Sequence, residues 1–395
     1  MFNQESKKYK LKALMGGAAV AEAMRQINPE VFCAYPITPQ TPIIETFTKL
    51  KADGEVDSEV VLVESEHSAL SAVFGASAAG VRAMTATASQ GLALMAEILW
   101  AVSGTRLPVV MAVAGRALSS PINVHGDHSD SIGFRDAGWI QLYSETAQEA
   151  YENTLLAIRL AEDEKVRTPA MVMLDGFFTS HNVEDVKIWQ DDLVKKFLGQ
   201  CKTNFPLFDT QNPTSYGPLA LPNYYFEFKA QQQEAMKNVV PVFKKIGAEF
   251  KKITGKNYDL FEEYKTKDAD YVIIAMGSSC GTIKNVVDDL RKEGKKVGLL
   301  KIILYRPFPY QQIAKILTGK KGVAVLDRAF SFGAEGALYT DVKSALYDLV
   351  KRPALQSYVY GLGGRDFYDT DAKAIFKDLI AGKTNTQEKY IGLRK

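Results

Sequence analysis

Short apolar runs punctuate the first half of the chain, each followed by a polar or glycine-containing turn and then a segment of small or amphipathic residues. Val31-Phe32-Cys33-Ala34 is the first, and residues 59–64, with Val60-Val61-Leu62-Val63, form the second. Residues 82–88, 107–113, 137–143 and 168–174 repeat the pattern. Continuous runs of this length suit strands covered on both faces, as in a parallel sheet. Helices are predicted between them over 18–27, 42–52, 69–80, 92–102 and 147–161. This strand–turn–helix alternation predicts a doubly wound α/β domain, in which ligands bind outside the carboxyl ends of the strands.

The turns at those ends carry the candidate chemistry. Tyr35-Pro36-Ile37-Thr38-Pro39-Gln40-Thr41-Pro42 packs three prolines and two threonines into eight residues. Each proline fixes its own φ and biases its predecessor toward extended geometry, so the Thr38 hydroxyl is presented by a stiff backbone. A plain proline-capped strand end is the structural alternative. Glu66 stands at the first turn of a helix made almost wholly of small residues, where a carboxylate can simply complement the helix dipole. Ser89-Gln90-Gly91 and Arg116 fall at the next two strand ends, so Thr38, Glu66, Ser89, Gln90 and Arg116 are expected to share one cleft. Gly16-Gly17 precedes the first helix and offers either a phosphate cradle or close packing. The loop 118–130 concentrates His125, Asp127, His128 and Asp130. With His67 these suggest imidazole–carboxylate metal binding, but the spacing matches no established ligand pattern and a polar active-site loop is the better reading.

Beyond about residue 186 the pattern changes. Residues 212–225 read as an irregular, aromatic-rich connection and 231–252 as a long helix, with burial of the aromatics against another subunit as one outcome. A second α/β unit begins at Tyr271-Val272-Ile273-Ile274-Ala275, with a helix over 282–293 and strands over 296–303, 322–326 and 357–361. The expected division is 1–185, a connecting arm and helical linker 186–267, and 268–395.

A length of 395 residues fits two domains, and 46% hydrophobic with 24% charged residues describes an ordinary globular chain. A net charge of +2 gives no reason to expect nucleic acid or an anionic membrane as partner. Lysine pairs such as Lys251-Lys252 and Lys320-Lys321 read as solvated faces. The three cysteines, Cys33, Cys201 and Cys280, form no C-x-x-C pair, which argues against an iron–sulfur cluster or structural zinc on this chain and for a reducing compartment. Met1–Lys10 is polar and lysine-rich without a signal-type apolar core, and no run approaches the roughly 18 apolar residues of a membrane span. A cytoplasmic location is expected.

Taken as a set, YPITPQT at 35–41, SEHSA at 65–69, TASQG at 87–91, GRALSSPINVHGDHSD at 115–130, PLALPNYYFEF at 218–228, MGSSCGTIK at 276–284 and LYRPFP at 304–309 cover nearly the full length. On these motifs the chain closely resembles the alpha subunits of multi-subunit pyruvate:ferredoxin oxidoreductases, in the 2-oxoacid:acceptor oxidoreductase family. It departs from them at Gly16-Gly17-Ala18-Ala19, where the family usually carries Gly-Asn-Glu-Ala.

The resemblance implies a thiamine diphosphate pyrimidine-binding-type domain followed by a domain similar to the transketolase C-terminal domain. It matches Glu66 to the acid beside the aminopyrimidine ring, with Pro36, Ser89 and Gln90 as further cofactor-binding residues. It matches Thr38, Arg116 and Asn123 to substrate binding, with Glu66, Thr38 and Arg116 carrying the catalytic work and no metal ligand on this chain. No Gly-Asp-Gly with an asparagine downstream is present, and Gly126-Asp127-His128 does not qualify. The magnesium and diphosphate half of the cofactor site, and the iron–sulfur clusters, are therefore expected on partner beta, gamma and delta subunits. The implied reaction oxidatively decarboxylates pyruvate to acetyl-CoA and CO2, with coenzyme A as co-substrate and ferredoxin as electron acceptor, in a dimer of heteromers. Branched-chain or aryl 2-oxoacid relatives, a non-redox transketolase-like thiamine enzyme and a bracing scaffold subunit are the rival readings.

Overall fold

A computed structural model describes residues 8–394 apart from 202, 204 and 386, so the first seven residues of the Met1–Lys10 stretch lie outside it. The chain forms strands β1 (Tyr9–Met15), β2 (Val31–Cys33), β3 (Glu59–Val61), β4 (Ala83–Thr87), β5 (Val110–Gly115), β6 (Ile140–Ser144), β7 (Ala170–Asp175) and β8 (Val183–Trp189). Strands β9 (Phe261–Tyr264), β10 (Tyr271–Ala275), β11 (Val297–Ile302), β12 (Leu304–Arg306), β13 (Gly322–Asp327), β14 (Ala354–Val359) and β15 (Lys389–Tyr390) follow.

The first domain is a seven-stranded sheet in the order β12-β6-β7-β5-β4-β2-β3. Its six strands from β2 to β7 run parallel, and β12 closes one edge antiparallel to β6. Every residue of β4, β5, β6 and β7 is buried, which is why β5 and β7 read as nearly continuous apolar runs. The order reverses around β2, β4 and β5, so the ends that carry Thr38, Glu66, Ser89 and Arg116 belong to four neighbouring strands. Local signals place the helices between them. Ser65 caps Glu66–Ala79 by accepting from Ser68 N–H, and Gly80, at φ 111°, ends it in the left-handed region. Thr146 caps Ala147–Ala161 in the same way through Glu149 N–H.

Several expectations shift. The helix expected over 92–102 is two, Ser89–Leu94 and Ala96–Gly104, divided at Met95. The strand expected over 107–113 sits at Val110–Gly115, and the one over 59–64 ends at Val61. Strands β1 and β8 pair antiparallel from Tyr9↔Trp189 to Met15↔Val183, so the 185/186 division falls inside a strand. Residues 222–225, read as irregular, open a helix that runs Pro222–Thr254. Pro222 lies at its start, where a missing N–H costs nothing, and Gly255 closes it in the left-handed conformation. Its C-terminal half packs Val239, Val242, Phe243, Ile246 and Phe250 into the first domain's core beside Leu155 and Phe197. Its first turns, with Tyr224, Tyr225, Phe226 and Phe228, stand exposed.

The second domain is a six-stranded sheet, β15-β14-β13-β10-β11-β9, parallel except where β9 runs against β11. The two domains interlock. Strand β12 leaves the second domain to complete the first sheet, and Lys301 on β11 is buried against Glu145 and Glu149 of the first domain at 2.6 and 2.7 Å, with Glu262 at 2.6 Å.

Candidate active site

The segment after β2 folds back on itself, with Gln40 N–H donating to Ile37 O at 2.8 Å before the helix Thr41–Ala52 begins. This turn leaves Pro36 and Thr38 exposed, and the Thr38 hydroxyl bonds to no described residue. The Thr38 carbonyl oxygen accepts from Arg116 Nη1 at 2.8 Å. Arg116, at the end of β5, is only 7% exposed, and its Nε donates to Asn123 O at 2.9 Å. Among the described residues no carboxylate pairs with its guanidinium, and its Nη2 has no hydrogen-bond partner. A buried cation held by two backbone carbonyls lacks the anion that would compensate it.

Glu66 is the complementary case. It begins the helix Glu66–Ala79, is 7% exposed, and its carboxylate bonds to no described residue. Gly91 lies against it: an ideal Cβ there would stand 2.7 Å from Glu66 Oε1 and 2.4 Å from Thr87 Oγ1. The Thr87 hydroxyl is itself buried without a partner. An unpaired acid, an orphaned hydroxyl and a missing side chain together make a cradle for the polar edge of a flat heteroaromatic ring, so the residues present fit the pyrimidine end of thiamine diphosphate.

Asp130 ties these strand ends together. Its Oδ2 accepts from Ser89 N and Arg116 N, both at 2.9 Å, and its Oδ1 from Ser131 N at 2.6 Å. Complete burial pushes its carboxyl up to about 6 against the pull of those three N–H groups, with Asp127 adding to the rise. Ser89 adopts φ 47° here, and its hydroxyl lies 2.6 Å from both Ala117 O and Gln90 Oε1. Its polar groups are thus spent on holding the turn. In the sequence Asp130 falls in a polar loop, and the only trace of this role is the density of acids and histidines over 125–130.

The histidines do not converge. His128 Nε2 meets Asp175 Oδ1 at 2.8 Å, His125 packs on Phe177 at 5.0 Å between ring centres, and His67 faces Glu97 at 3.3 Å. Asp175 also accepts from Arg328 Nη1 at 2.7 Å and Ser278 Oγ at 2.6 Å. Burial alone would raise its carboxyl, but His128 and Arg328 outweigh it and hold Asp175 well below the carboxylate range. The cluster Glu145, Glu149 and Glu262, close enough to bind a cation, is filled by Lys301 Nζ. The glycine pair is no phosphate cradle. Gly16 N–H donates to Thr179 O at 3.2 Å and Gly17 N–H to Ser180 O at 3.0 Å. A Cβ at Gly17 would lie 2.9 Å from Pro42 Cβ, so the missing side chain lets the helix Gly16–Ile27 approach the proline turn.

An unpaired buried acid and an unpaired buried cation thus stand at the carboxyl edge of a doubly wound sheet, where folds of this class bind their ligands. Residues 22–248 match the family model described as pyruvate flavodoxin/ferredoxin oxidoreductase, thiamine diphosphate-binding, and residues 269–372 that of pyruvate:ferredoxin oxidoreductase core domain II. The chain belongs to the pyruvate flavodoxin/ferredoxin oxidoreductase family.

Among its relatives, pyruvate synthase subunit PorA of Thermotoga maritima is 57% identical over 97% of this chain and 98% of its own length. The PorA subunit of Pyrococcus furiosus is 44% identical over the same shares. Ketoisovalerate oxidoreductase subunit VorA of Pyrococcus horikoshii is 45% identical, again over 97% and 98%. The fold is also similar to a solved structure of 2-oxoglutarate:ferredoxin oxidoreductase from Magnetococcus marinus, with 2-oxoglutarate, coenzyme A and succinyl-CoA bound. That likeness has a TM-score of 0.74 at 20% identity and covers 95% of this chain and 66% of that one.

Proposed function

We propose that this chain is the alpha subunit of a thiamine-dependent, coenzyme A-acylating 2-oxoacid oxidoreductase that converts pyruvate to acetyl-CoA and CO2 and passes the electrons to ferredoxin. The observation that carries this reading is that the Arg116 guanidinium at the end of β5 and the Glu66 carboxylate, which lies against Gly91 and Thr87 at the end of the neighbouring β4, are both buried without an ion-pair partner among the described residues. Identity of 57% to a pyruvate synthase subunit along nearly the whole chain supports pyruvate as the 2-oxoacid.

Bound thiamine diphosphate supplies a carbon nucleophile for the 2-oxoacid carbonyl and a sink for the electrons released as CO2 departs. Glu66 holds and exchanges a proton with the ring nitrogen of the pyrimidine, a role its lack of any protein partner leaves open. Pro36, Ser89 and Gln90 shape the walls of the cofactor cleft. Arg116 takes the substrate carboxylate through its free Nη2, and the Thr38 hydroxyl supplies a second donor on an unyielding turn. Asn123 stands beside them with its carbonyl oxygen on Arg116 Nε.

The magnesium, the diphosphate-binding residues and the iron–sulfur clusters come from beta, gamma and delta partners in a dimer of heteromers working in the cytoplasm. Among the described residues no helix is long and apolar enough to cross a membrane. The 45% identity to a ketoisovalerate subunit over the same span favours a branched-chain 2-oxoacid as the second reading. The native complex is therefore tested for viologen reduction dependent on thiamine diphosphate, coenzyme A and a 2-oxoacid, with pyruvate, 2-ketoisovalerate and 2-oxoglutarate compared. Pyruvate is expected to give the highest kcat/KM. A colourless, self-sufficient homo-oligomer would overturn the reading.

A further inference from the structure

The loop from β5 to Asp130 carries Arg116 at its start, and its middle is fastened to the second domain at Gly363. Gly363, in the turn Leu362–Gly364 that follows β14, donates its N–H to Asp127 Oδ2 at 3.1 Å. Its carbonyl oxygen accepts from Asn123 Nδ2, also at 3.1 Å. Both polar groups of one peptide residue are thus gripped by two side chains of the loop. The Asn123 side-chain oxygen accepts from His125 N at 2.7 Å, which fixes the amide's orientation. The backbone oxygen of the same asparagine receives Arg116 Nε at 2.9 Å. One of the two protein bonds that aim the guanidinium therefore ends on a residue anchored in the other domain.

The turn is built for close approach. Gly363 and Gly364 adopt φ 58° and 80°, and an ideal Cβ would fall 2.6 Å from Asn123 Nδ2 at the first and 2.3 Å from His125 Cβ at the second. A side chain at either position would be both conformationally disfavoured and in collision with the loop. The far end of the loop is tied down independently, His128 N–H donating to Arg328 O at 2.9 Å and Arg328 Nη1 to Asp175 Oδ2 at 2.7 Å. With that end fixed, strain introduced at Gly363 is relieved at Asn123.

We infer that Asn123 and Gly363 form a positioning latch through which the second domain sets where Arg116 presents its free Nη2 to the substrate. The inference rests on the reading of Arg116 as the carboxylate-binding group. Asn123 is then a positioning residue, its amide directed at the second domain and its backbone at Arg116.

The test uses the assembled complex, with pyruvate and coenzyme A varied separately. Gly363→Ala and Asn123→Ala are each expected to raise KM for pyruvate about tenfold, the scale for a sub-ångström displacement of a positioned group. The KM for coenzyme A should stay at its wild-type value. The double variant should be no worse than the stronger single, because the added methyl then meets no amide. Additive effects, or an unchanged pyruvate KM in Asn123→Ala, would overturn the latch; the second criterion decides alone where Gly363→Ala does not assemble. Arg116→Ala, run beside them, separates the two failures. If it raises the pyruvate KM while the latch variants do not, only the latch is wrong; if it too leaves KM unchanged, the carboxylate reading falls and takes the latch with it.

Discussion

Gly91→Ala offers a perturbation of Glu66 that leaves every polar group in place. The residue lies inside the helix Ser89–Leu94, where exchanging glycine for alanine is ordinarily favourable by about 0.5–1 kcal/mol. Its new methyl would stand 2.7 Å from Glu66 Oε1 and 2.4 Å from Thr87 Oγ1, whereas ordinary contact begins at 3.4 Å. Glu66 must therefore retreat about 0.7 Å and Thr87 about 1 Å, by rotation of their side chains. A misplacement near 1 Å at a reacting group costs on the order of 10²-fold in rate. We expect Gly91→Ala to lower kcat for pyruvate-dependent viologen reduction by about that factor, with KM for pyruvate and the thermal midpoint unchanged. Glu66→Gln serves as the reference, with an expected loss of ~10²–10⁴-fold. Wild-type kcat in Gly91→Ala, or a loss that tracks a falling thermal midpoint, would refute the placement of Glu66 as the proton-exchanging acid.

Three further outcomes are expected. Arg116→Ala should raise KM for the 2-oxoacid roughly ten- to a hundredfold, from a charge-assisted bond worth about 1.5–3 kcal/mol, and steady-state kinetics on the complex measures it. Lys301→Met removes the cation shared by Glu145, Glu149 and Glu262; breaking a buried pair costs about 3–5 kcal/mol, and the loss should fall at the lower end because Lys284 still reaches Glu145 at 2.8 Å and Glu262 at 2.9 Å. An unchanged urea midpoint would contradict it. Burial would raise Glu149, but Lys301 and Lys256 hold it down at about 2. Its folded value lies below the ordinary 4.5, so its contribution to stability is complete above that pH and is lost as pH falls toward 2. Unfolding curves across that window should steepen their decline with Lys301 present and flatten in Lys301→Met.

The doubly wound plan was legible because strands buried on both faces cannot alternate in polarity. Strand β5 and all of β7 but its last residue, Asp175, are unbroken apolar text, and Ala147–Ala161 announces its start through Thr146 and Glu149. The pairing of β1 with β8 left no such trace, since the strands lie more than 160 residues apart and Lys10 and Lys12 face solvent on an antiparallel ribbon. The return of β12 to the first sheet is equally silent, a contact between residues 304 and 142 that no local propensity encodes. At the site, residue types revealed Glu66 and Arg116 as candidates, because an acid and a guanidinium at strand ends are visible one at a time. That neither has an ion-pair partner among the described residues is a property of the folded surroundings. The opposite holds for Ser89 and Asn123, whose polar groups the fold consumes in holding the turn and the loop.

Asp130 joins two of these separate strand ends. A single carboxylate oxygen accepts from the backbones of Ser89 and Arg116, so the turn that opens the Gly91 helix and the turn that launches the guanidinium share one fixed point. Displacing either turn lengthens a buried bond at the other, and an orphaned buried donor costs about 1–3 kcal/mol. The backbone that launches the guanidinium is thereby held in register with the turn that opens the Gly91 helix, against which Glu66 lies, without an ion pair between the acid and the cation. A direct Glu66–Arg116 ion pair would tie the two groups together, but it would cancel the two charges on which the proposed binding and proton exchange depend. Holding the turns through a third, fully buried carboxylate keeps the geometry and spares the chemistry.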